Sequence, residues 1–600
     1  MLLEQRLGSH LTADGCFFRV WAPHAEQVDV LLQTGGKWRA NEQAHSHPLS
    51  RSANGYWSAT VPDVAAGTLY RFAITYQGQT RQKLDPAARD VINSALTAHD
   101  GRSDNASIVV ENKPYPWVDF RTPAFENFLI YQFHVGSFAG RNDEYQKPIA
   151  TFRDVESKLP YIRSMGFIAI QPLPISEFAF DRSWGYNPAS FFACESAYGT
   201  PADLKHLINA AHQQGLAVIF DVVYNHAGPG DNVLWQFDGY EHEGGIYFEG
   251  GATTPWGRGP AWWKWEVQDY FYQHARMCLE EYRADGLRFD MTQLINGNYL
   301  RNVTWKLRQD FPDKYLIAEH HPADPWIINT GNFHATWDAE AHHECQRALA
   351  GDRPVDRLLS ILDRQPFPHS WNVVNYLTGS HDDVGDFNNG NAEEGIHNWD
   401  RRHRYLIDLL GGRHNEVARA KCRLAWALCV AMPGTPLNFM GSECLLASPH
   451  VAWGYWHDGV DQWGDHRFDW SIAGDALGIE MRRLVTAANQ MRWQHPALRS
   501  DDFQIVHVDR TNNVVAFTRQ FYGDRLLVVA NFGEQGFAAR DYQLSTGDLG
   551  DRFVEVLCTQ DPPFGGRHGA GNQGEVLLAD GGKLGINLPG WALVVLQAVD

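Results

Sequence analysis

The chain has 600 residues, of which 44% are hydrophobic and 20% are charged, a balance typical of soluble globular proteins. Its 71 acidic residues outnumber its 51 basic residues and give a formal net charge of −20. This charge argues against nucleic acid or another polyanion as a partner. The length predicts several domains rather than one.

Cysteine usage and the chain start bear on the compartment. The eight cysteines are scattered and form no CxxC pair, which predicts free, mostly buried thiols in a reducing compartment. The stretch from Met1 to Arg6 lacks a basic segment followed by a long apolar core, so we expect no signal peptide. No apolar run approaches the roughly 18 residues that a membrane span needs. We therefore expect a cytoplasmic protein without membrane contact; its oligomeric state stays open.

Residues 1–115 carry short alternating runs separated by glycine, aspartate and proline. Such a pattern is typical of a β-sandwich, and Phe17–Pro23, Val28–Leu32 and Tyr70–Phe72 are predicted strands. Trp21 and Trp57 fall in this region and suit either a core or a binding face. We predict an N-terminal β-sandwich over residues 1–115.

Four apolar runs in the middle of the chain lead into charged or polar groups. Continuous apolar runs are typical of buried parallel strands, and a (β/α)8 barrel collects its active-site residues at the carboxyl ends of its strands. We therefore predict a TIM barrel over residues 116–495. The groups that follow these runs are Asp221, Asp290, Glu319 and the pair His381-Asp382.

Arg288 lies two residues before Asp290. Side chains two apart on a strand point to the same side, so the guanidinium should contact the carboxylate. A neighbouring cation favours the ionised form and lowers the pKa of a carboxylate, as a carboxylate nucleophile requires.

The ordered stretches Asp221–His226, Asp285–Asp290, Leu316–Glu319 and Gly379–Asp382 resemble the four signature regions of the α-amylase superfamily of glycoside hydrolases and transglycosylases. The resemblance implies a (β/α)8 barrel and an α-1,4-glucan substrate such as glycogen, amylose or maltooligosaccharides. It also implies retaining chemistry, in which one carboxylate attacks the anomeric carbon and a second protonates the leaving oxygen. No cofactor is expected.

The resemblance also implies roles for single residues. Asp290 matches the nucleophile, Glu319 matches the general acid/base, and Asp382 matches the residue that binds sugar hydroxyls. The general acid must be protonated near neutral pH, so we expect a raised pKa for Glu319. The positions that match sugar binding or support of the cleavage subsite are Tyr186, Asp221, His226, Arg288 and His381.

Residues 227–262 form a long insertion rich in glycine and aromatic residues, and a loop of this length in a compact domain is usually functional. We expect some of its aromatic side chains to stack on glucose units. Trp256 and Trp262 are the predicted binding residues, and Trp263 is a further candidate for an acceptor surface.

Other polar groups give weaker indications. Adjacent histidines point in different directions, so a metal shared by His320 and His321 is not expected, although one of them suits a hydrogen-bonded site histidine. We find no dense oxygen-ligand cluster near Asn225 for calcium and predict no metal. The polar stretch from Asn388 to Asn398 is a candidate gate of the cleft.

From residue 496 to 600 the chain again shows short strand-like runs, among them Leu526–Phe532 and Trp591–Leu596. These predict a C-terminal all-β domain, a β-sandwich over residues 496–600. The N-terminal region resembles the starch-binding-type domain found in branching and debranching enzymes. The segment from Phe564 to Gly566 is similar to one near the end of branching enzymes and maltooligosyltrehalose trehalohydrolases.

These features favour a 1,4-α-glucan branching enzyme. Against this, many branching enzymes carry an acid where His320 stands, and a Glu or Gln where Asp383 stands. Residues 221–229 and 254–257 are more similar to a maltooligosyltrehalose trehalohydrolase, but His381-Asp382-Asp383 departs from the His-Asp-Gln of that enzyme. Two further alternatives are another intracellular α-glucan hydrolase and a catalytically inactive glucan-binding protein. The complete set of Asp290, Glu319 and Asp382 argues against an inactive protein.

Overall fold

The computed structural model describes residues 1–39, 44–92, 105–111, 113–147, 149–179, 183–229, 232–364, 366–385, 405–447, 467–567 and 572–599. The candidate gate from Asn388 to Asn398 lies outside the described residues. Among the described helices, none combines the length and the apolar character that crossing a bilayer requires.

The N-terminal region folds into two antiparallel sheets. Its strands are β1 (Gly8–Thr12), β2 (Gly15–Trp21), β3 (Gln27–Gln33), β4 (His45–Pro48), β5 (Ser50–Arg51), β6 (Tyr56–Val61), β7 (Leu69–Tyr76), β8 (Gln79–Lys83), β9 (Val91–Ile92) and β10 (Ala106–Ile108). One sheet has the order β1-β2-β6-β5, and the other has the order β4-β3-β7-β10-β9 with β8 beside β7. Trp21 and Trp57 are buried between strands, so both belong to the core and neither offers an open face to a sugar.

The strands of the central region are short and mostly fully buried. They are β11 (Ile130–Phe133), β12 (Ala169–Pro172), β13 (Ser176–Phe178), β14 (Pro188–Cys194), β15 (Ala217–Val222), β16 (Thr253–Thr254), β17 (Gly257–Arg258), β18 (Gly286–Phe289), β19 (Tyr315–Ala318), β20 (Ala335–Trp337), β21 (Val373–Asn375) and β22 (Thr435–Phe439).

Eight of these strands close a parallel barrel in chain order: β11-β12-β15-β18-β19-β20-β21-β22. Closure is made by β11 and β22, where Ile130 lies opposite Leu437. Both faces of a barrel strand are covered, one by the interior side chains and one by the outer helices, which explains why the sequence runs are continuously apolar. The predicted TIM barrel is confirmed.

Helices surround the barrel. α4 shows how the sequence sets a helix start, because Thr200 caps it with a reciprocal bond to Asp203 and Pro201 occupies its first turn. The described helices are α1 (Val135–Phe138), α2 (Phe152–Glu156), α3 (Leu159–Ser164), α4 (Pro201–Gln213), α5 (Trp265–Glu280), α6 (Gly297–Asp310), α7 (Pro325–Asn329), α8 (Ala339–Leu349), α9 (Pro354–Leu362), α10 (His381–Gly385), α11 (Leu406–Leu409), α12 (Glu416–Ala431), α13 (Trp470–Gly474) and α14 (Ala476–Gln494).

The C-terminal region is all-β, as predicted. Its strands are β23 (Asp502–Asp509), β24 (Val514–Phe521), β25 (Asp524–Asn531), β26 (Phe537–Ser545), β27 (Arg552–Cys558), β28 (Leu577–Asp580), β29 (Lys583–Leu588) and β30 (Ala592–Ala598). They form one sheet in the order β23-β24-β25-β30-β27-β28-β29-β26. The exact limits of the three units, near residues 115 and 495, stay predictions.

Candidate active site

A cavity of about 1000 Å³ opens at the carboxyl ends of the barrel strands. It brings together side chains from loops and helices that are far apart in the chain. Seven of the ten predicted site residues line it: Tyr186, His226, Trp256, Asp290, Glu319, His381 and Asp382. The structure thus gathers most of the predicted set in one place.

The bottom of this cavity, here called the floor, is a buried ionic cluster of Asp221, Arg288, Asp290 and Glu319. Arg288 lies within β18, and its guanidinium is fully buried. Nη1 lies 2.7 Å from Asp221 Oδ1 and 3.0 Å from Asp290 Oδ1, and Nη2 lies 2.6 Å from Glu319 Oε2. One cation therefore holds three carboxylates, and the predicted contact between Arg288 and Asp290 is confirmed.

Asp290 and Glu319 directly follow β18 and β19, which are neighbours in the barrel. Their carboxylates bind different nitrogens of the same guanidinium, so they lie close together on one side of the cavity. Asn225 donates from Nδ2 to Asp290 Oδ2 over 2.6 Å and fixes that carboxylate from the opposite side.

Met291 connects the two carboxylates through the backbone. Its φ of 40° places it in the left-handed region, which is uncommon for a residue with a side chain. In this conformation its N–H donates to Glu319 Oε2 over 3.0 Å. Strained backbone of this kind is often found at functional sites.

The electrostatics of the carboxylate pair differ from the prediction. Burial and the neighbouring charge of Glu319 raise the pKa of Asp290, although Arg288 opposes this. Burial also acts to raise the pKa of Glu319, but Arg288 and the bond from His321 outweigh it and lower that pKa. Both predicted directions, the lowered pKa of Asp290 and the raised pKa of Glu319, are therefore reversed in this geometry, because burial outweighs Arg288 at Asp290 and Glu319 has more cationic and hydrogen-bonding partners than the sequence showed.

Asp221 and Arg288 support the cavity from below and do not line it. Asp221 lies within β15, and burial raises its pKa to about 6 despite the ion pair with Arg288. Asp221 Oδ2 also accepts a hydrogen bond from the Tyr186 hydroxyl over 2.8 Å. Both are covered by the side chains above them, so their place in the predicted site is one of support, as the resemblance implied for Asp221, and not of contact with sugar.

Tyr186, His226 and His381 line the cavity beside the floor. The Tyr186 ring stacks on His381 with centroids 4.9 Å apart, so one of its faces is covered by that ring. His226 donates from Nε2 to the Tyr186 carbonyl over 2.7 Å. Burial lowers the pKa of His226 to about 4 and that of His381 to about 3, so both rings are neutral at pH 7.

The edge of the cavity, here called the rim, is more exposed. Asp382 lies on α10 with 49% of its side chain exposed, and its carboxylate is 3.2 Å from His381 Nε2. Trp256 is half-buried and packs against His226 with ring centroids 5.9 Å apart. His321 also belongs to the rim, and its Nε2 donates to Glu319 Oε1 over 3.1 Å, which confirms a hydrogen-bonded site histidine in the His320-His321 pair.

Trp262 is not a binding residue. It is buried, it stacks on Phe271 with centroids 5.1 Å apart, and its Nε1 donates to the Tyr224 carbonyl. The prediction of a sugar-binding role for Trp262 is wrong, because this part of the insertion folds back onto α5 and supplies core.

Two other aromatic residues of the insertion pack against the N-terminal region. Tyr247 meets Trp21 edge-on at 5.4 Å, and Tyr240 stacks on His24 at 4.5 Å. An ion pair between Arg81 and Glu241 joins the same surfaces. The insertion therefore anchors the N-terminal domain to the barrel, and Trp256 is the predicted binding residue in it that reaches the cavity.

Several residues in or beside the cavity were missed by the sequence reasoning. Asn225 belongs to the stretch Asp221–His226, but no role was predicted for it. Asp383 was noted only as a departure from the family pattern. His342 and His343 of α8 also line the cavity, and the short strand before them, β20, was not recognised from the sequence. A pair of histidines on an amphipathic helix carries no signal of its own until the barrel places that helix.

Comparisons with known proteins agree with this geometry. Profiles match for Carbohydrate-binding module 48 (Isoamylase N-terminal domain) over residues 6–88, the catalytic domain of alpha amylase over residues 133–243, and its C-terminal all-beta domain over residues 505–599. The 1,4-alpha-glucan branching enzyme GlgB of Rhodopseudomonas palustris (strain BisB5) is 30% identical, with 100% of this chain and 84% of the relative covered. The chain belongs to the α-amylase superfamily, glycoside hydrolase family 13.

Within this superfamily, further relatives carry the same name. The branching enzyme GlgB of Corynebacterium jeikeium (strain K411) is 28% identical, with 93% of this chain and 78% of the relative covered. Among solved structures, a putative alpha amylase from Salmonella typhimurium has a TM-score of 0.74 at 21% identity, with 99% of both chains covered. A GBS pullulanase solved with maltotetraose has a TM-score of 0.76 at 17% identity, covering 99% of this chain and 88% of its own. These structures share the fold, and the protein is an enzyme of the glycoside hydrolase and transglycosylase class.

Proposed function

We propose that this enzyme is a 1,4-α-glucan branching enzyme that transfers an α-1,4-linked glucan segment to a 6-hydroxyl through a covalent glycosyl intermediate on Asp290. The observation that carries the chemistry is the pair of Asp290 and Glu319, held by one buried guanidinium at the floor of the cavity. Similarity over the full length to enzymes named as branching enzymes supports the choice of reaction.

In the first half of the proposed reaction, an Asp290 oxygen attacks the anomeric carbon of the donor glucan. The bond from that carbon to the leaving 4-oxygen breaks, and the leaving oxygen takes the proton of Glu319. In the second half, Glu319 accepts the proton of an acceptor 6-hydroxyl while that oxygen displaces Asp290 from the anomeric carbon. Two displacements restore the α configuration.

This reaction requires a protonated Glu319 and an ionised Asp290 when the glycosidic bond breaks. Without substrate, the geometry favours the proton on Asp290 instead, since the pKa of Glu319 is lowered and that of Asp290 is raised. Arg288 touches both carboxylates, so the two groups titrate as a coupled pair. A leaving oxygen placed beside Glu319 favours the protonated carboxyl there, because only that form can donate a hydrogen bond to it.

The residues of the rim suit the proposed sugar contacts. Asp382 is the exposed carboxylate over the cavity and is proposed to accept hydrogen bonds from ring hydroxyls. Trp256 and the part of Tyr186 that lines the cavity are proposed as apolar contacts for glucose units. His226 and His381, both neutral, are proposed to donate or accept hydrogen bonds without adding charge.

Product analysis on amylose tests the proposal. Branching conserves the number of glycosidic bonds, so iodine staining should fall and shift to shorter wavelength with little new reducing power. Isoamylase treatment of the product should then release short chains. Maltooligosaccharides and maltooligosyltrehalose are assayed alongside under the same conditions.

Other products would identify other reactions. A rise of reducing ends in step with the loss of staining would mean an amylase. Free trehalose from maltooligosyltrehalose, with amylose untouched, would mean a trehalohydrolase. No turnover of any of the three substrates, with retained glucan binding, would mean an inactive binding protein.

A further inference from the structure

His342, His343 and Asp383 form a cluster on the wall of the active-site cavity. Each offers one ligand-type atom, and these atoms all lie within 4.8 Å of one another. The two histidines lie on α8, and the aspartate lies on α10. The cluster has no part in the proposed glycosyl transfer.

His342 is oriented by its surroundings. Its side chain is buried, and Nδ1 donates to the Leu377 carbonyl over 3.3 Å. This bond leaves Nε2 directed at Asp383, with 3.1 Å between Nε2 and Oδ1. Metal-binding histidines are held in the same way, by a hydrogen bond from the ring nitrogen that does not bind the metal.

Asp383 is held just as firmly. Its Oδ2 accepts hydrogen bonds from the Ser380 amide over 2.7 Å and from the Ser380 hydroxyl over 3.1 Å. Oδ1 is the oxygen that faces His342. Two of the three ligand atoms, His342 Nε2 and Asp383 Oδ1, are therefore fixed opposite each other. A cation bound between them would replace the proton that they share, and that proton would be released to solvent.

His343 completes the set from an exposed position. Its ring centroid is 5.4 Å from that of His342, and two imidazoles on one tetrahedral ion have centroids about 5 Å apart at normal zinc–nitrogen distances. Adjacent histidines point in different directions, so binding needs a rotation of the exposed His343 side chain that brings its nitrogen to bonding distance.

We propose that His342, His343 and Asp383 bind a zinc ion and that zinc bound there slows the enzyme. Two imidazoles and one carboxylate suit Zn²⁺, whereas Mg²⁺ and Ca²⁺ prefer all-oxygen ligand sets. Three protein ligands leave one coordination position for water. Asp383 directly follows Asp382 in the chain, so an ion held by the cluster would lie on the cavity wall close to the proposed sugar-binding carboxylate. It would also link α10 to α8.

Zinc binding is measured first, without reference to activity. The full-length protein is freed of metal with a chelator, and Zn²⁺ is titrated in competition with a zinc-binding dye. We expect one tight site that His343→Ala weakens by at least about tenfold, equivalent to about 1.4 kcal/mol. His343→Ala is the main variant because this side chain is exposed and its removal does not disturb the core. Ca²⁺ at the same concentrations should not displace the zinc.

A matched control guards against general histidine binding, since the chain contains 27 histidines. His206 is also partly exposed and lies 2.8 Å from a carboxylate, that of Glu156. His206→Gln should leave the tight site unchanged. The eight cysteines are all buried and should not contribute.

Two results would overturn the assignment: the same zinc affinity in wild type and His343→Ala, or no binding at roughly 100 μM Zn²⁺, a weak limit for a site with three ligands. The effect on activity has its own test. Zinc should slow glucan turnover in wild type at the concentration that fills the site, and should do so less in His343→Ala. Full occupancy with an unchanged rate would refute the inhibitory role.

Discussion

The floor and the rim of the cavity differ in burial, and this difference sets how strongly each residue acts. The side chains of Asp221, Arg288, Asp290 and Glu319 on the floor are at most 7% exposed. On the rim, Asp382 is 49% exposed and His321 is 28% exposed. Charges interact strongly where water is excluded and weakly where it is present. Changes on the floor should therefore affect chemistry and stability together, and changes on the rim should affect one measured property at a time.

Removal of the proposed nucleophile should have the largest effect. Asp290→Ala deletes the group that forms the covalent bond, so turnover of amylose should fall by roughly 10⁴-fold, equivalent to about 5.4 kcal/mol. Initial rates of branching provide the measurement. Added azide should fit the space left by the carboxylate and attack an activated glucosyl substrate, giving a glycosyl azide of inverted configuration.

Folding of Asp290→Ala is checked by its melting temperature. The assignment fails if the variant keeps appreciable activity with unchanged product configuration, or if azide yields the retained anomer, which is the result expected for loss of the acid/base.

Glu319→Gln tests the other member of the pair. Glutamine keeps the shape but cannot donate a proton to the leaving oxygen, so natural glucans should react roughly 10²- to 10⁴-fold more slowly. A glucosyl fluoride needs little protonation to leave and should lose much less. Equal losses on both substrates would contradict the role of Glu319 as general acid.

Arg288→Met tests the floor as an electrostatic unit. Removal of one partner from a buried ionic cluster costs about 3–5 kcal/mol because the remaining charges are left without compensation. The variant should lose both activity and thermal stability, and the stability loss should depend on pH. Without Arg288, burial raises the pKa values of Asp221 and Asp290 further, and a carboxyl group with a raised pKa contributes stability that is lost as the pH rises towards that folded-state pKa.

The melting-temperature deficit of Arg288→Met should therefore be small near pH 4 and grow as the pH rises past about 6, the pKa to which Asp221 is already raised. Arg510→Met is the control, because that arginine is mostly exposed and pairs with the exposed Asp356, so its loss should cost less than about 1 kcal/mol. A deficit independent of pH would show that Arg288 acts by packing rather than by charge.

The floor was the part of the site most open to prediction from sequence. Asp290 and Glu319 directly follow apolar strands, so chain order and barrel geometry place them together without knowledge of any loop. Trp262 could not be assigned from the sequence, because an aromatic residue in a long insertion serves a core and a sugar equally well. The pKa order of the pair was missed because it depends on His321 and the Met291 amide, whose positions follow from loop conformations.

Trp256 and Trp262, only six residues apart, separate the two kinds of role directly. Trp262→Ala should destabilise the protein by about 3–5 kcal/mol, as for other buried tryptophans. Trp256→Ala should leave the melting temperature unchanged and raise KM for amylose by roughly tenfold, since one aromatic contact contributes about 1–2 kcal/mol. Thermal melts and steady-state kinetics on both variants make the comparison, and a reversed pattern would contradict the placement of the two side chains.

The smallest effect is expected at His321, on the rim, where it donates a hydrogen bond to Glu319. This bond helps to lower the pKa of Glu319. If Glu319 must be protonated to act as the acid, activity is lost as pH rises above its pKa. His321→Gln weakens the stabilisation of the charged form, so the alkaline limb of kcat/KM against pH should move to higher pH. The rate at the optimum should fall by less than about tenfold, because one hydrogen bond contributes about 1 kcal/mol.

His320→Gln is the matched control for His321→Gln. His320 is adjacent in the chain, but its ring bonds the Thr292 hydroxyl over 2.9 Å instead of the Glu319 carboxylate. The alkaline limb of this variant should therefore stay where it is in wild type. Equal shifts in both variants would mean that any change in this loop alters the profile. If the acid limb moved to higher pH instead of the alkaline limb, Glu319 would work in its ionised form, and the roles of the two carboxylates would then have to be exchanged.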